Sequence, residues 1–390
     1  MLIYLSAGEH SGDMHAASLA RTLRALCPDV ELLGMGGPSM RAAGVELIHD
    51  PTAVSTIGFV EVLRNLGRYH RLLREVTRIL AARRPDVVVW VDFGGFNLAL
   101  ARACRRLALP VVCVFSPSAW AYGRGRAEVM ARCVTELAAV LPFEAEFYRS
   151  FGLKTTFVGH PLLDLVRNET DPDEFRAELG LSAEERLLAL LPGSRLQEVE
   201  RLLPVMLAAV GQLDAGRRIR PVLPLAPSIP ITFVHSIVAR AGRAPQIVPG
   251  RTYDVLRACD AAMIASGTAT LEAAILGAPL VSIYRVSTLS YFVYKALRPP
   301  AERGRPISTA LPNLVARRRI VPELLQGALT PSALAGEIAP LLDDPAARER
   351  MRSELAEVRR ALGRPGAMRR VAEIVLRVAG RDVRTGEGGA

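Results

Sequence analysis

Four short stretches bring together residue types that can do chemistry, each where an apolar run gives way to small residues. Asp92 ends the run Asp86 to Val91 and precedes Phe93, Gly94, Gly95, Phe96 and Asn97. A lone carboxylate at a strand tip, flanked by Trp90 and Phe93, has apolar surroundings that raise its proton affinity and suit it to general-base work. Capping a helix that starts at Asn97 is the plainer alternative. The stretch Leu191, Pro192, Gly193, Ser194, Arg195, with Glu198 three residues on, reads as a strand end entering a helix. Its exposed backbone N–H groups and its guanidinium can hold phosphate oxygens and steady a departing diphosphate; a surface Arg–Glu pair is the bland reading. In Ala265 to Glu272 the small residues Ser266, Gly267 and Thr268 let a diphosphate sit over a helix start, and Glu272 can accept hydrogen bonds from ribose hydroxyls. A tightly packed strand–helix junction accounts for the small residues but not for Glu272. Finally, Ala7, Gly8, Glu9, His10, Ser11, Gly12 and Asp13 form a turn that lets a ligand approach the backbone, or a helix start capped by Ser11 or Asp13.

Three further features carry less information. Ser116, Pro117, Ser118, Ala119, Trp120, Ala121 and Tyr122, followed by Arg124 and Arg126, make a rigid basic loop that can take a phosphorylated sugar or serve only as a turn. His160 in Val158-Gly159-His160-Pro161 reads as a hydrogen-bonded hinge residue rather than a catalyst. Residues 54–80 mix Ile57, Phe59, Val60 and Leu63 with Arg64, Arg68, Arg71, Arg74 and Arg78. Such a stretch can rest on an anionic bilayer and admit acyl chains, or be an ordinary solvated helix.

Positioning these groups takes alternating strands and helices. Strand-like runs at Leu2 to Ala7, Val30 to Leu33, Asp86 to Val91, Val111 to Phe115, Leu137 to Leu141 and Thr155 to Val158 predict one doubly wound parallel sheet over residues 1–165. The polar segment Arg167 to Asp173 reads as a linker. Runs at Arg186 to Leu191, Ile219 to Leu225, Gln246 to Pro249, Ala261 to Ile264 and Pro279 to Arg285 predict a second such domain over residues 175–345. The expected class is α/β: two Rossmann-like domains whose parallel sheets face a central cleft. Two last helices follow, near Ala346 to Leu362 and Ala367 to Val378; a helix at about 366–380 can pack back on the first domain, and the tail 381–390 is expected to be disordered.

Composition fits this plan. A chain of 390 residues is long for one core, and with 50% apolar and 23% charged residues it is a globular protein. A net charge of +10 favours an anionic partner or simply reflects an Arg-rich composition. Aromatic residues are only 5% and the arginines are dispersed, which argues against nucleic acid. The five cysteines show neither metal nor disulfide spacing, and with no long apolar run and no leader the chain reads as neither secreted nor membrane-spanning.

In order along the chain, AGEHSGD, IGFVEVL, SPSAWA, LPFE, VGHP, LLPGSR with Glu198, ASGTATLE and LPNL resemble the signature of the lipid-A-disaccharide synthase family, glycosyltransferases with the GT-B fold. The resemblance spans residues 3–326. It implies an inverting transfer from UDP-2,3-diacylglucosamine to the 6-hydroxyl of 2,3-diacylglucosamine 1-phosphate, giving a β-1,6 disaccharide and UDP, with neither metal nor cofactor. It further implies Asp92 as base and Arg195 on the diphosphate, with Glu9 and Ser11 near the reacting sugars. Gly193, Ser194, Glu198, Ser266, Gly267, Thr268, Glu272, Asn313 and Gln326 would serve the UDP-sugar, and Asn97, Ser116, Trp120 and Arg124 the acceptor. The protein would then be cytoplasmic, peripheral on the inner face of the inner membrane through residues 54–80, and either monomeric or a homodimer. Gly95 stands where the family carries a second Asp; His10, Ala119 and Tyr122 also depart from its pattern, all on the acceptor side. Competing readings are another GT-B transferase with a different lipid-linked acceptor and a UDP-sugar epimerase of the same architecture.

Overall fold

A computed structural model describes residues 1–51, 66–117, 119, 124–166, 170–213, 216–241, 244–285 and 308–381. Trp120, most of the apolar part of the 54–80 stretch, residues 167–169 of the expected linker and residues 382–390 of the expected tail lie outside the described residues. The chain divides into two units, one formed by 1–161 and 364–390 and the other by 162–363.

In the first unit the elements are β1 (Leu2–Ser6), α1 (His10–Leu26), β2 (Glu31–Met35), α2 (Pro38–Ala42), β3 (Glu46–His49), α3 (Leu66–Arg83), β4 (Val87–Val91), α4 (Gly94–Arg106), β5 (Val111–Val114), α5 (Arg124–Cys133), β6 (Glu136–Ala139), α6 (Pro142–Arg149) and β7 (Thr155–Phe157). Its seven strands are all parallel, in the order β3-β2-β1-β4-β5-β6-β7. All five residues of β4 are buried, as the run Val-Val-Val-Trp-Val requires of a strand covered on both faces. The helix Ala367–Val378, returning from the far end of the chain, packs along α1 and against β4 and β5. Arg370 Nε donates to the Val158 carbonyl at 2.8 Å, and Arg377 donates to the buried Glu136 carboxylate at 2.9 Å.

After α7 (Leu162–Leu165) and α8 (Pro172–Glu178), the second unit runs β8 (Arg186–Leu191), α9 (Leu196–Leu213), β9 (Ile219–Leu225), α10 (Ile231–Val238), β10 (Gln246–Pro249), α11 (Thr252–Ala258), β11 (Ala261–Ala265), α12 (Thr268–Leu276), β12 (Leu280–Tyr284), α13 (Leu311–Ala316), β13 (Glu323–Leu325), α14 (Pro331–Asp343) and α15 (Pro345–Ala361); Ala367–Val378, in the first unit, is α16. Six parallel strands pair in the order β10-β9-β8-β11-β12-β13. Part of the expected linker is in fact the start of α8: Asp171 accepts the Asp173 N–H at 2.9 Å and Pro172 opens the helix.

Both sheets reverse their winding once, between β1 and β4 in the first unit and between β8 and β11 in the second. Open parallel sheets bind ligands outside the strand carboxyl ends at such reversals. The four turns singled out from the sequence leave these four strands. Among the described residues no helix is long and apolar enough to cross a membrane.

Candidate active site

At the β4 tip the chain turns through two left-handed residues that are not glycine, Asp92 at φ 55° and Phe93 at φ 58°. This strained turn is fastened from several sides. The Asp92 carbonyl accepts Trp90 Nε1 at 2.5 Å and Asn97 Nδ2 at 2.7 Å, while the Asp92 N–H donates to the Val114 carbonyl at 3.2 Å. The side chain accepts the Phe93 N–H at 2.8 Å. Burial pushes the Asp92 carboxyl above its ordinary pKa, partly offset by hydrogen bonds from the Phe93 N–H and the Ser11 hydroxyl. The result is a half-buried carboxylate that holds a proton more readily than most, the property a base needs near neutral pH.

The β1 turn lies against it. α1 starts at His10, with Glu9 in extended conformation at the cap position, so neither Ser11 nor Asp13 is the N-cap. Ser11 is exposed and bonds Asp92. Asp13 is buried and instead accepts the N–H groups of Gly37, Ser39 and Met40, at 2.8, 2.9 and 3.0 Å, at the start of α2. Gly8 is a steric necessity: a Cβ there would lie 2.2 Å from the Phe93 ring.

Asn97 lies buried behind the Asp92 turn. α4 begins at Gly94, and Asn97 is only 1% exposed, bonded to Ser6 Oγ at 2.5 Å, the Ser6 carbonyl at 3.3 Å and the Asp92 carbonyl. Its amide ties β1 to the Asp92 turn. Ser116 is half-buried beyond β5, and Arg124 is exposed at the start of α5 with its guanidinium 5.8 Å from the Phe151 ring. Sequence reasoning passed over His15, which stacks on Phe115 at 4.3 Å. Burial holds it near pKa 4; His160 is also held at about 4, by burial and then by His15.

In the second unit, Gly193 at φ 116° turns the chain out of β8. Ser194 and Arg195 are exposed, and Glu198 reaches back to both: Oε2 accepts the Ser194 N–H at 3.2 Å and Oε1 accepts Arg195 Nη1 at 3.0 Å. Ser228 Oγ donates to the Ser194 carbonyl at 2.7 Å. Beyond β11, Gly267 caps α12 and Thr268 is exposed at its first position. Ser266 Oγ donates to the Thr309 carbonyl at 2.9 Å. Burial raises the pKa of Glu272, against the effect of a hydrogen bond from Tyr253, and burial lifts the Tyr253 phenol to about 12.

Asn313 is buried in the same way as Asn97. It is 4% exposed; Nδ2 donates to the Val321 carbonyl and to Glu323 Oε1, at 3.0 and 2.6 Å, and Oδ1 accepts the Ile320 and Val321 N–H groups. These bonds to Ile320, Val321 and Glu323 hold the loop in shape. Its partner Glu323, unnoticed in the sequence, also accepts Ser308 Oγ at 2.5 Å and the N–H groups of Thr309 and Ala310 at 2.7 and 3.1 Å. Gln326, at φ 52°, accepts Arg285 Nη2 at 3.4 Å through its backbone carbonyl. Among the described residues no three His, Cys, Asp or Glu side chains cluster as metal ligands would.

The family model for lipid-A-disaccharide synthetase matches residues 3–378. The lipid-A-disaccharide synthase of Myxococcus xanthus (strain DK1622) is 44% identical over 375 residues, covering 96% of each chain. Among solved structures, the UDP-GlcNAc 2-epimerase from Neisseria meningitidis bound to UDP-GlcNAc is similar at a TM-score of 0.61 and 12% identity, over 96% of this chain and 99% of that one. A glycosyltransferase from Rickettsia africae ESF-5 is similar at a TM-score of 0.58 and 11% identity, over 98% and 99%. At such identities the likeness speaks for the fold alone, which epimerase and transferase share.

Proposed function

Since the chain belongs to the lipid-A-disaccharide synthetase family and is a GT-B glycosyltransferase of lipid A disaccharide synthesis, we propose that it joins UDP-2,3-diacylglucosamine to 2,3-diacylglucosamine 1-phosphate. Asp92 takes the proton from the acceptor 6-hydroxyl as that oxygen attacks the anomeric carbon from the face opposite UDP. The carbon–oxygen bond to the diphosphate breaks, the configuration inverts, and UDP leaves as an anion. Glu9 and Ser11 flank the reacting sugars. The first unit is thus the acceptor side and the second the nucleotide side.

For the departing diphosphate, Arg195 supplies a charged fork and Gly193 and Ser194 a helix-start turn, while Ser266, Gly267 and Thr268 offer the start of α12. Glu198 yields its two donors when the diphosphate arrives. Glu272 receives the ribose hydroxyls, with Tyr253 fixing its orientation. Arg74 and Arg78, exposed on α3, hold the enzyme on the anionic cytoplasmic face of the inner membrane, where both acylated substrates reside.

The observation that carries this reading is the Asp92 carboxyl, raised in pKa by burial yet bonded to the exposed Ser11. Purified protein incubated with both substrates is expected to release UDP in step with disaccharide, with large losses in Asp92→Ala and Arg195→Ala. Full activity in Asp92→Ala would remove it from the mechanism, and UDP release without disaccharide would point to a different acceptor.

A further inference from the structure

The first unit contains a cavity of about 250 Å³ between the β3 end, α3 and the β4 turn, lined by Gly8, His49, Arg68, Tyr69, Arg71, Leu72 and Phe93 among others. None of the acceptor residues named above lines it. We propose that this cavity binds the anomeric phosphate of the acceptor together with the adjoining face of its sugar, Arg68 and Arg71 taking the phosphate. The proposal rests on the acceptor identity given above and assigns it a subsite.

Arg68 and Arg71 are spaced three residues apart on α3, so both side chains leave the same face one turn apart. Both are exposed, and among the described residues neither guanidinium has an ion-pair partner. Two free forks on one face match a phosphate monoester better than a single carboxylate. The carboxylates a phosphate would meet at the mouth are Glu75, 3.2 Å from His49 Nε2, and Asp50, which has a partner of its own.

The rest of the lining is partly apolar and aromatic. Phe93 stacks on Phe96 with centroids 5.4 Å apart and meets Tyr69 at 6.0 Å, and Leu72 completes the surface. A pyranose ring can lie against such a wall by its C–H face. Size limits the occupant further. At about 250 Å³ the cavity falls below the roughly 300–1,000 Å³ that enclose a whole drug-sized ligand. It has room for a phosphate and part of one ring.

Its location gives the binding a purpose. Phe93 directly follows Asp92 and donates its N–H to the Asp92 carboxylate at 2.8 Å. A sugar seated on the Phe93 ring is thereby held beside the base. Gly8 makes this wall possible, because any side chain there would displace the ring.

The same two arginines could instead serve a membrane phospholipid, so the test separates the two sources of phosphate. Steady-state kinetics in neutral detergent would compare wild type, Arg68→Ala/Arg71→Ala and Arg68→Lys/Arg71→Lys, using the acceptor with and without its phosphate. The alanine pair should raise the KM for the phosphorylated acceptor about tenfold to a hundredfold. The KM for the UDP-sugar and the affinity for UDP should stay unchanged, which also verifies that the variant is folded, and the lysine pair should recover part of the loss. With the dephosphorylated acceptor, wild type and alanine pair should be alike. An unchanged KM alongside weaker sedimentation with phosphatidylglycerol vesicles would overturn the proposal in favour of the membrane. An unchanged KM in an enzyme that still forms disaccharide would sink the subsite alone. A wild type that forms no disaccharide would sink the parent reading and the subsite with it.

Discussion

The carboxylate of Glu198 stands where a side chain on Gly193 would have to go: a Cβ on Gly193 would come within 2.3 Å of Glu198 Oε2 and 2.8 Å of Glu198 Cβ. The glycine and the acid are therefore one device. The first clears the space, and the second fills it with an anion that collects the Ser194 N–H and the Arg195 guanidinium.

Gly193→Ala should disturb this device on two counts, the strain of an alanine at φ 116° and the displacement of Glu198. A stability loss of about 1–3 kcal/mol is expected in thermal melts. Calorimetric titration with UDP should show weaker binding by about tenfold, because the helix-start donors no longer point together. Unaltered UDP binding would mean that this turn does not hold the diphosphate.

Asp92→Asn should cost activity and raise stability at the same time. The carboxyl has a higher pKa in the folded chain than its ordinary value. Its contribution to stability is thus full below the ordinary carboxylate pKa and is lost as pH rises through the raised value. At pH 8 the ionised, half-buried group is a liability that asparagine lacks, so the variant should melt higher there, with the gap closing in acid. Turnover should fall by about 10² to 10⁴. The wild-type rate should decline as pH drops through the raised pKa, where the base takes up its proton; a flat profile there would argue against Asp92 as base.

Glu323 supports the loop that in turn supports Ser266. It accepts Ser308 Oγ, the Thr309 and Ala310 N–H groups and Asn313 Nδ2, while the Thr309 carbonyl accepts Ser266 Oγ. Removing it as Glu323→Ala leaves several donors without a partner, for an expected loss of about 2–4 kcal/mol. The KM for the UDP-sugar should rise more than kcat falls. Glu323→Gln should recover only part, since its NH₂ group cannot accept a hydrogen bond. A variant with normal stability and KM would show the network to be dispensable.

His15 and His160 predict acid sensitivity. Both folded pKa values lie near 4, well below the 6.5 of an unperturbed imidazole. For a base held neutral by burial, stability is complete above the ordinary pKa and is lost as pH falls from there toward 4. Each imidazole should cost on the order of 3 kcal/mol across that window. Denaturant unfolding of wild type and His160→Gln at pH 7 and pH 4.5 should therefore show a smaller pH effect in the variant.

Most of the sheet framework could be read in the chain. The central strands are continuous apolar runs, and β8, β9 and β10 have the bounds their patterning predicts, Arg186–Leu191, Ile219–Leu225 and Gln246–Pro249. The strands missed are β3, Glu46–His49, and β13, Glu323–Leu325. Both are short and lie at sheet edges, where one flank needs no apolar cover and the pattern fades. At the site, strand tips with glycine were visible, but the partners of side chains were not. Asn97 and Asn313 stand out in the sequence as amides, but the backbone groups they tie together come from residues as far apart in sequence as Ser6 and Asp92. Glu323 escaped notice for the same reason, since its role depends on how residues 308–313 are folded over it.

The last helix has a consequence for how the molecule is made. Ala367–Val378 covers α1, whose buried positions include Ala16, Ala20 and Leu23 and are synthesised well before it. At roughly 5–20 residues per second, this cover emerges from the ribosome about 20–70 s after the surface it shields. Throughout that interval a sticky stripe on the nascent chain stays open to chaperones and proteases, while residues 162–363, a separate compact unit, are synthesised ahead of it. A premature stop just before Ala367 would make that temporary vulnerability permanent.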